Sequence, residues 1–128
     1  MTNQSIYETA LRLASEISAS DANADYQERS AYLLPIVCQR LARTDRLYRS
    51  ATNGTEQQIS AGSPYALSDQ FPLSDVFLSP ASALLASLLV VEENALLSER
   101  LEAVSHAALD AIRRDIPFRS EPIRNAYA

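Results

Sequence analysis

Ser79-Pro80-Ala81-Ser82-Ala83-Leu84-Leu85-Ala86-Ser87-Leu88-Leu89-Val90-Val91, closed by Glu92-Glu93-Asn94, is the stretch on which the fold turns. Ser79 followed by Pro80 reads as an N-cap and a first-turn proline, because the first turn of a helix has no partner for the amide hydrogen that proline lacks. From Ala81 onward the side chains are apolar on nearly every side, with Leu84, Leu85, Leu88, Leu89 and Val91 prominent. A helix without a polar face must be surrounded, so this one is expected at the centre of a bundle. Ser79, Pro80, Ser82 and Ser87 interrupt the apolar window 76–91, which also falls short of the ~20 residues a membrane span needs.

Working outward, Leu97, Leu101, Val104, Ala108 and Ile112 step by four, three, four and four. That is the period of an amphipathic helix ending near Arg114. On the other side, Ile6, Ala10, Leu13 and Ile17 make a first helix, closed by Ser20-Asp21-Ala22-Asn23. Asp25 with Glu28 three residues later resembles a capping box and predicts a second helix from near Tyr26. Leu34, Val37, Cys38 and Leu41 form its buried stripe, and Pro35 predicts a kink or a split because it removes a backbone donor. The pattern lapses over 50–73, where Asn53-Gly54, Gly62, Pro64 and Pro72 are turn punctuation. A short hairpin at Asn53-Gly54 is one option for that loop. Pro117 and Pro122 predict an extended C-terminal tail over 116–128. The expectation is an all-α bundle of four main helices in a single domain, 1–115, with a long irregular loop at about 50–73.

Composition narrows the function. A chain of 128 residues, 47% hydrophobic and 21% charged, has the make-up of one globular domain rather than a disordered segment. A single cysteine excludes a disulfide framework or a cysteine-rich zinc site within one chain. Two glycines leave no phosphate-cradling loop, and no Gly-x-Ser-x-Gly elbow occurs. The net charge of −5 disfavours bulk attraction to nucleic acid or an anionic membrane. The opening residues Met1-Thr2-Asn3-Gln4-Ser5 lack the charge and apolar block of a secretory signal. The expected protein is cytoplasmic before any assembly, with no membrane contact.

Three groups could carry chemistry or contact. Glu102, His106 and Asp110 are spaced four apart on the last helix, but they fall opposite its predicted apolar stripe and read as a solvated ion-pair ladder. Cys38 reads as a small buried hydrophobe. No catalytic group, metal or cofactor is therefore expected. All eleven basic residues are arginine, which suits protein interfaces. Arg40, Arg43, Arg46 and Arg49 form the one basic cluster, with the first three on the outer side of the second helix. Tyr32 and Ile36 project opposite Leu34 and Val37, so one face mixes aromatic, aliphatic and arginine side chains as interfaces do. Two readings stay open: a face that meets another molecule, or a helix covered on both sides within the subunit. Phe118, Ile123 and Tyr127 on the tail pose the same choice, docking at home or on a neighbour.

Leu73-Ser74-Asp75-Val76-Phe77-Leu78-Ser79-Pro80, with the apolar helix and acidic break that follow, resembles small helical head–tail connector (adaptor) proteins of tailed bacteriophages and prophages. The likeness covers about 66–114; where tyrosines are expected in the central helix, Ala83-Leu84-Leu85 stands instead. The resemblance implies a non-enzymatic virion component that forms rings, docks on a portal protein and passes DNA through a central opening. The long loop and tail would then be subunit contacts. The alternative is a small regulatory module that binds DNA or a partner through Arg40, Arg43, Arg46 and Arg49.

Overall fold

A computed structural model describes residues 1–14, 20–52, 54 and 63–116, with side chains in the second helix from residue 25 onward. Four α-helices follow one another: α1 (Asn3–Leu13), α2 (Ser20–Ala51), α3 (Leu78–Val90) and α4 (Ala95–Asp115). A 3-10 turn, Asp75–Phe77, leads into α3. The described residues hold no strand beyond an isolated bridge between Thr2 and Gln70, so the all-α architecture is as the apolar periodicity predicts.

The apolar helix is the hub. Every residue of α3 from Pro80 to Ser87 is buried, as are Leu89 and Val90, and α1, α2 and α4 all pack against it. Leu85 and Leu89 are fully enclosed, each contributing about 1.5–3 kcal/mol of transfer free energy. Its start differs from the sequence reading: the helix begins at Leu78, so Ser79 lies inside the first turn rather than capping it. Phe77 sets the entry, fully buried and edge-on to Tyr48 with ring centroids 6.2 Å apart. Pro80 is tolerated because it still falls among the four leading positions whose amides find no intrahelical partner.

The second helix corrects two expectations. It starts at Ser20, not near Tyr26, and it is not split at Pro35. Asp25 does not cap it; it lies within the helix and pairs with Arg29 at 3.5 Å. Tyr26 is buried and donates its hydroxyl to Glu93 Oε2 at 2.6 Å, tying this part of α2 to the turn between α3 and α4. At Pro35 the missing amide leaves the carbonyl of Ala31, four residues back, without its helical donor. The amide of Tyr65 fills that vacancy at 2.8 Å. The helix survives its proline because a distant segment supplies the lost hydrogen bond.

That segment, 63–74, is a strap and not a loose excursion. Its Leu67 and Asp69 carbonyls accept from the amides of Gln4 (2.8 Å) and Asn3 (2.9 Å), first-turn donors of α1 that no helix can satisfy itself. Phe71 donates its amide to Met1 (2.8 Å), and Asn3 donates its side-chain amide to Ala66 (2.9 Å). Asp45 of α2 accepts from the backbone (3.0 Å) and hydroxyl (2.9 Å) of Ser74, while Arg49 donates to the Pro72 carbonyl at 2.9 Å. The expected loop at 50–73 is thus shortened at both ends, α2 running to Ala51 and the strap lying on the bundle. The hairpin option at Asn53 and the tail residues Phe118, Ile123 and Tyr127 lie outside the described residues.

The last helix keeps part of its expected stripe, with Leu101 and Ile112 buried and Leu97 and Ala108 half-buried, but is rotated so that Val104 turns outward. Ser98, Leu101, Ser105, Leu109 and Ile112 are buried, whereas Val104 is 47% exposed. Ser98 and Ser105 donate their hydroxyls to the carbonyls of Ser87 and Pro80 on α3, each at 2.8 Å. A short side chain with an internal acceptor is as good an inner residue as an apolar one where two helices meet closely. Reading serine as polar and valine as apolar therefore misplaces the stripe.

Candidate functional site

The most distinctive surface is the outward face of α2. Tyr32 is 62% exposed, Ile36 42% and Leu47 53%, while Leu34 and Val37 on the opposite side are fully buried. Arg40, Arg43 and Arg46 are exposed, and none of the three forms an ion pair among the described residues. Tyr32, Ile36, Arg43 and Leu47 recur at steps of four, seven and four, so they share one side of the helix, with Arg40 and Arg46 flanking it. Leu47 belongs to this face and was missed in the sequence, although its helical spacing from Tyr32 and Ile36 carries the signal.

Arg49 does not belong with the other arginines. Its Nε lies 2.8 Å from the buried Asp45 carboxylate, and a terminal nitrogen donates to Pro72. This arginine is committed to holding the strap, which reduces the basic cluster on the surface to three. A three-arginine face interleaved with apolar side chains suits a protein surface better than a phosphate backbone, which rewards dense charge.

Between α2 and α4 runs a shallow groove of about 130 Å³, with Leu41, Leu84, Ser105 and Leu109 inside and Arg40, Glu102 and His106 at its rim. Small-molecule pockets are usually at least about 300 Å³, so this one fits a single side chain. The rotation of α4 places Glu102 and His106 on the flank towards α2, rather than opposite the core as expected. His106 Nε2 lies 3.7 Å from Glu102, an ion pair when the imidazole is protonated, and Asp110 pairs with Arg113 at 3.4 Å. Asp110 thus turns away from the other two. No group of three His, Cys, Asp or Glu side chains among the described residues is placed to hold a metal ion.

Cys38 is fully buried beneath the strap. Burial pushes its thiol up to about 12; a hydrogen bond from Tyr65 opposes this in part, and the charge of Asp45 adds to it. Tyr65 is likewise pushed up to about 12, by burial, then by the charge of Cys38 and by its bond to that residue. A thiol whose ordinary value is 9.0 then favours the folded state fully below pH 9.0, and the advantage is lost as pH rises towards 12. Stability should therefore fall on the alkaline side, as pH rises above the thiol's ordinary value of 9.0. Urea midpoints measured from neutral to alkaline pH test this, with Cys38→Ala expected to flatten the slope.

Among the described residues no helix is long and apolar enough to cross a membrane. Compared with protein-family models, curated proteins and solved structures, the chain has no match.

Proposed function

We propose that the chain is a non-enzymatic assembly component that binds other protein surfaces through the outward face of α2, in the manner of a phage or prophage head–tail connector. The observation that carries this reading is the exposed row of Tyr32, Ile36 and Leu47 flanked by three arginines without ion-pair partners. Aromatic and aliphatic side chains beside arginine are what protein interfaces concentrate, and contacts of this kind dominate binding energy. The resemblance over 66–114 supplies the kind of assembly: copies of the chain docked on a portal-type protein. A small bundle with one continuous outer helix suits such a part, since recognition by a preformed surface loses little conformational entropy on binding.

Light scattering and sedimentation of the purified protein, alone and with a portal ring, test this reading. The wild type should associate with itself or with the ring. Tyr32→Glu with Ile36→Arg should weaken that association by about a hundredfold, the loss of two buried anchors, while the helical signal by circular dichroism stays unchanged. A protein that stays monomeric and also ignores the ring overturns the reading. Tight, steeply salt-dependent binding to duplex DNA, lost on Arg43→Ala with Arg46→Ala, would replace it with the regulatory alternative.

A further inference from the structure

We infer that the outward face of α2 pairs with the same face of a second copy, antiparallel and centred between Val37 and Cys38. The inference rests on the assembly reading above and names its partner and register. The face is not uniform along its length: Asp25 and Glu28 are exposed at its N-terminal end, Tyr32 and Ile36 follow, and Arg40, Arg43 and Arg46 occupy the C-terminal half with Leu47. Asp25 already pairs with Arg29 in its own subunit, leaving Glu28 as the acid without an ion pair among the described residues.

A second copy laid alongside in the same direction would set Arg40, Arg43 and Arg46 against themselves. Reversed, it sets Glu28 against Arg46 at both ends and carries Arg43 and Arg46 away from themselves, leaving only Arg40 near its counterpart beside the axis. About the two-fold axis, Glu28 meets Arg46 of the other copy, Tyr32 meets Arg43, and Ile36 lies beside Gln39. Each contact occurs twice, as a two-fold interface requires. Helical geometry places Glu28 and Arg46 on the same flank of α2, so both ends close at once. An arginine over a tyrosine ring adds a cation–π contact to the pairing. The face from Asp25 to Ser50 is about 38 Å long at ~1.5 Å per residue. A single helix edge of that length makes a modest interface, so the dimer forms at micromolar concentration or above and weakens as salt rises.

Sedimentation velocity over a concentration series at low ionic strength tests the register. Glu28→Arg and Arg46→Glu should each weaken the dimer about tenfold, since each turns two attractive contacts into repulsive ones. The combined variant should recover the wild-type affinity to within about twofold, because each reversed charge again faces its opposite. A mixture of Glu28→Cys and Leu47→Cys proteins should form a disulfide-linked pair under mild oxidation, whereas Leu47→Cys alone should not link to itself. Cys38 stays out of this reaction because it is fully buried. Self-association without rescue, or ready linkage of Leu47→Cys to itself, overturns the antiparallel register and leaves the assembly reading standing. A strict monomer at every concentration that still binds a portal ring overturns the dimer alone; one that binds neither removes both.

Discussion

Asp45→Ala should destabilise the fold by about 3–5 kcal/mol, the penalty for breaking a buried charge pair by removing one partner. The carboxylate is 4% exposed and accepts three hydrogen bonds, from Arg49 at 2.8 Å and from the amide and hydroxyl of Ser74. Its loss strands the Ser74 amide and leaves a partly buried guanidinium without its counter-charge. The effect reaches beyond α2, because Asp45 and Arg49 together hold the strap at Pro72 and Ser74, immediately before the turn that starts α3. Urea denaturation gives the free energy, and the melting temperature should fall by at least about 10 °C. Asp45→Asn should cost less, since an amide oxygen can still accept from Ser74 while the charge is gone. A loss below about 1 kcal/mol for Asp45→Ala would show that the strap is held elsewhere.

Phe77→Ala should cost about 3–5 kcal/mol as well, by a different route, transfer free energy plus an unfilled cavity. Phe77 is fully buried, meets Tyr48 edge-on, and occupies the position from which α3 departs. Its contrast with Ile36 separates folding from assembly. Ile36→Ala, at a residue 42% exposed, should change stability by no more than about 0.5 kcal/mol while weakening association. Phe77→Ala should lower the urea midpoint strongly, and whatever remains folded should keep its outer face. If Ile36→Ala unfolds the protein, the outer face is structural and not a contact surface.

The helices were legible because their apolar residues recur at helical intervals, and the all-round apolar run at 81–91 marked the hub. Three features were not. Serine carries no apolar signal, so Ser98 and Ser105 hid the true inner stripe of α4, which their hydroxyl bonds into α3 define. Asp25 can cap with Glu28 three residues on or pair in-helix with Arg29 four residues on, and the helix start at Ser20 decides for the ion pair. The strap has no period at all: it is built from backbone groups meeting backbone groups, and one-dimensional patterns do not record such partners. The outer face was legible in Tyr32, Ile36 and the arginines, yet sequence could not separate Arg49 from its neighbours. That distinction depends on Pro72 and Ser74, more than twenty residues further along the chain.

Tyr65 works as a splint set across a joint. The span from Tyr32 to Leu47 begins one residue after the Ala31 carbonyl and passes over the proline, so the continuity of that outer edge is tied to a hydrogen bond made from the strap. A substitution that loosens the splint alters the line along which Tyr32, Ile36 and Leu47 are presented without touching any of them. Shape at the rim of this molecule is governed from the strap.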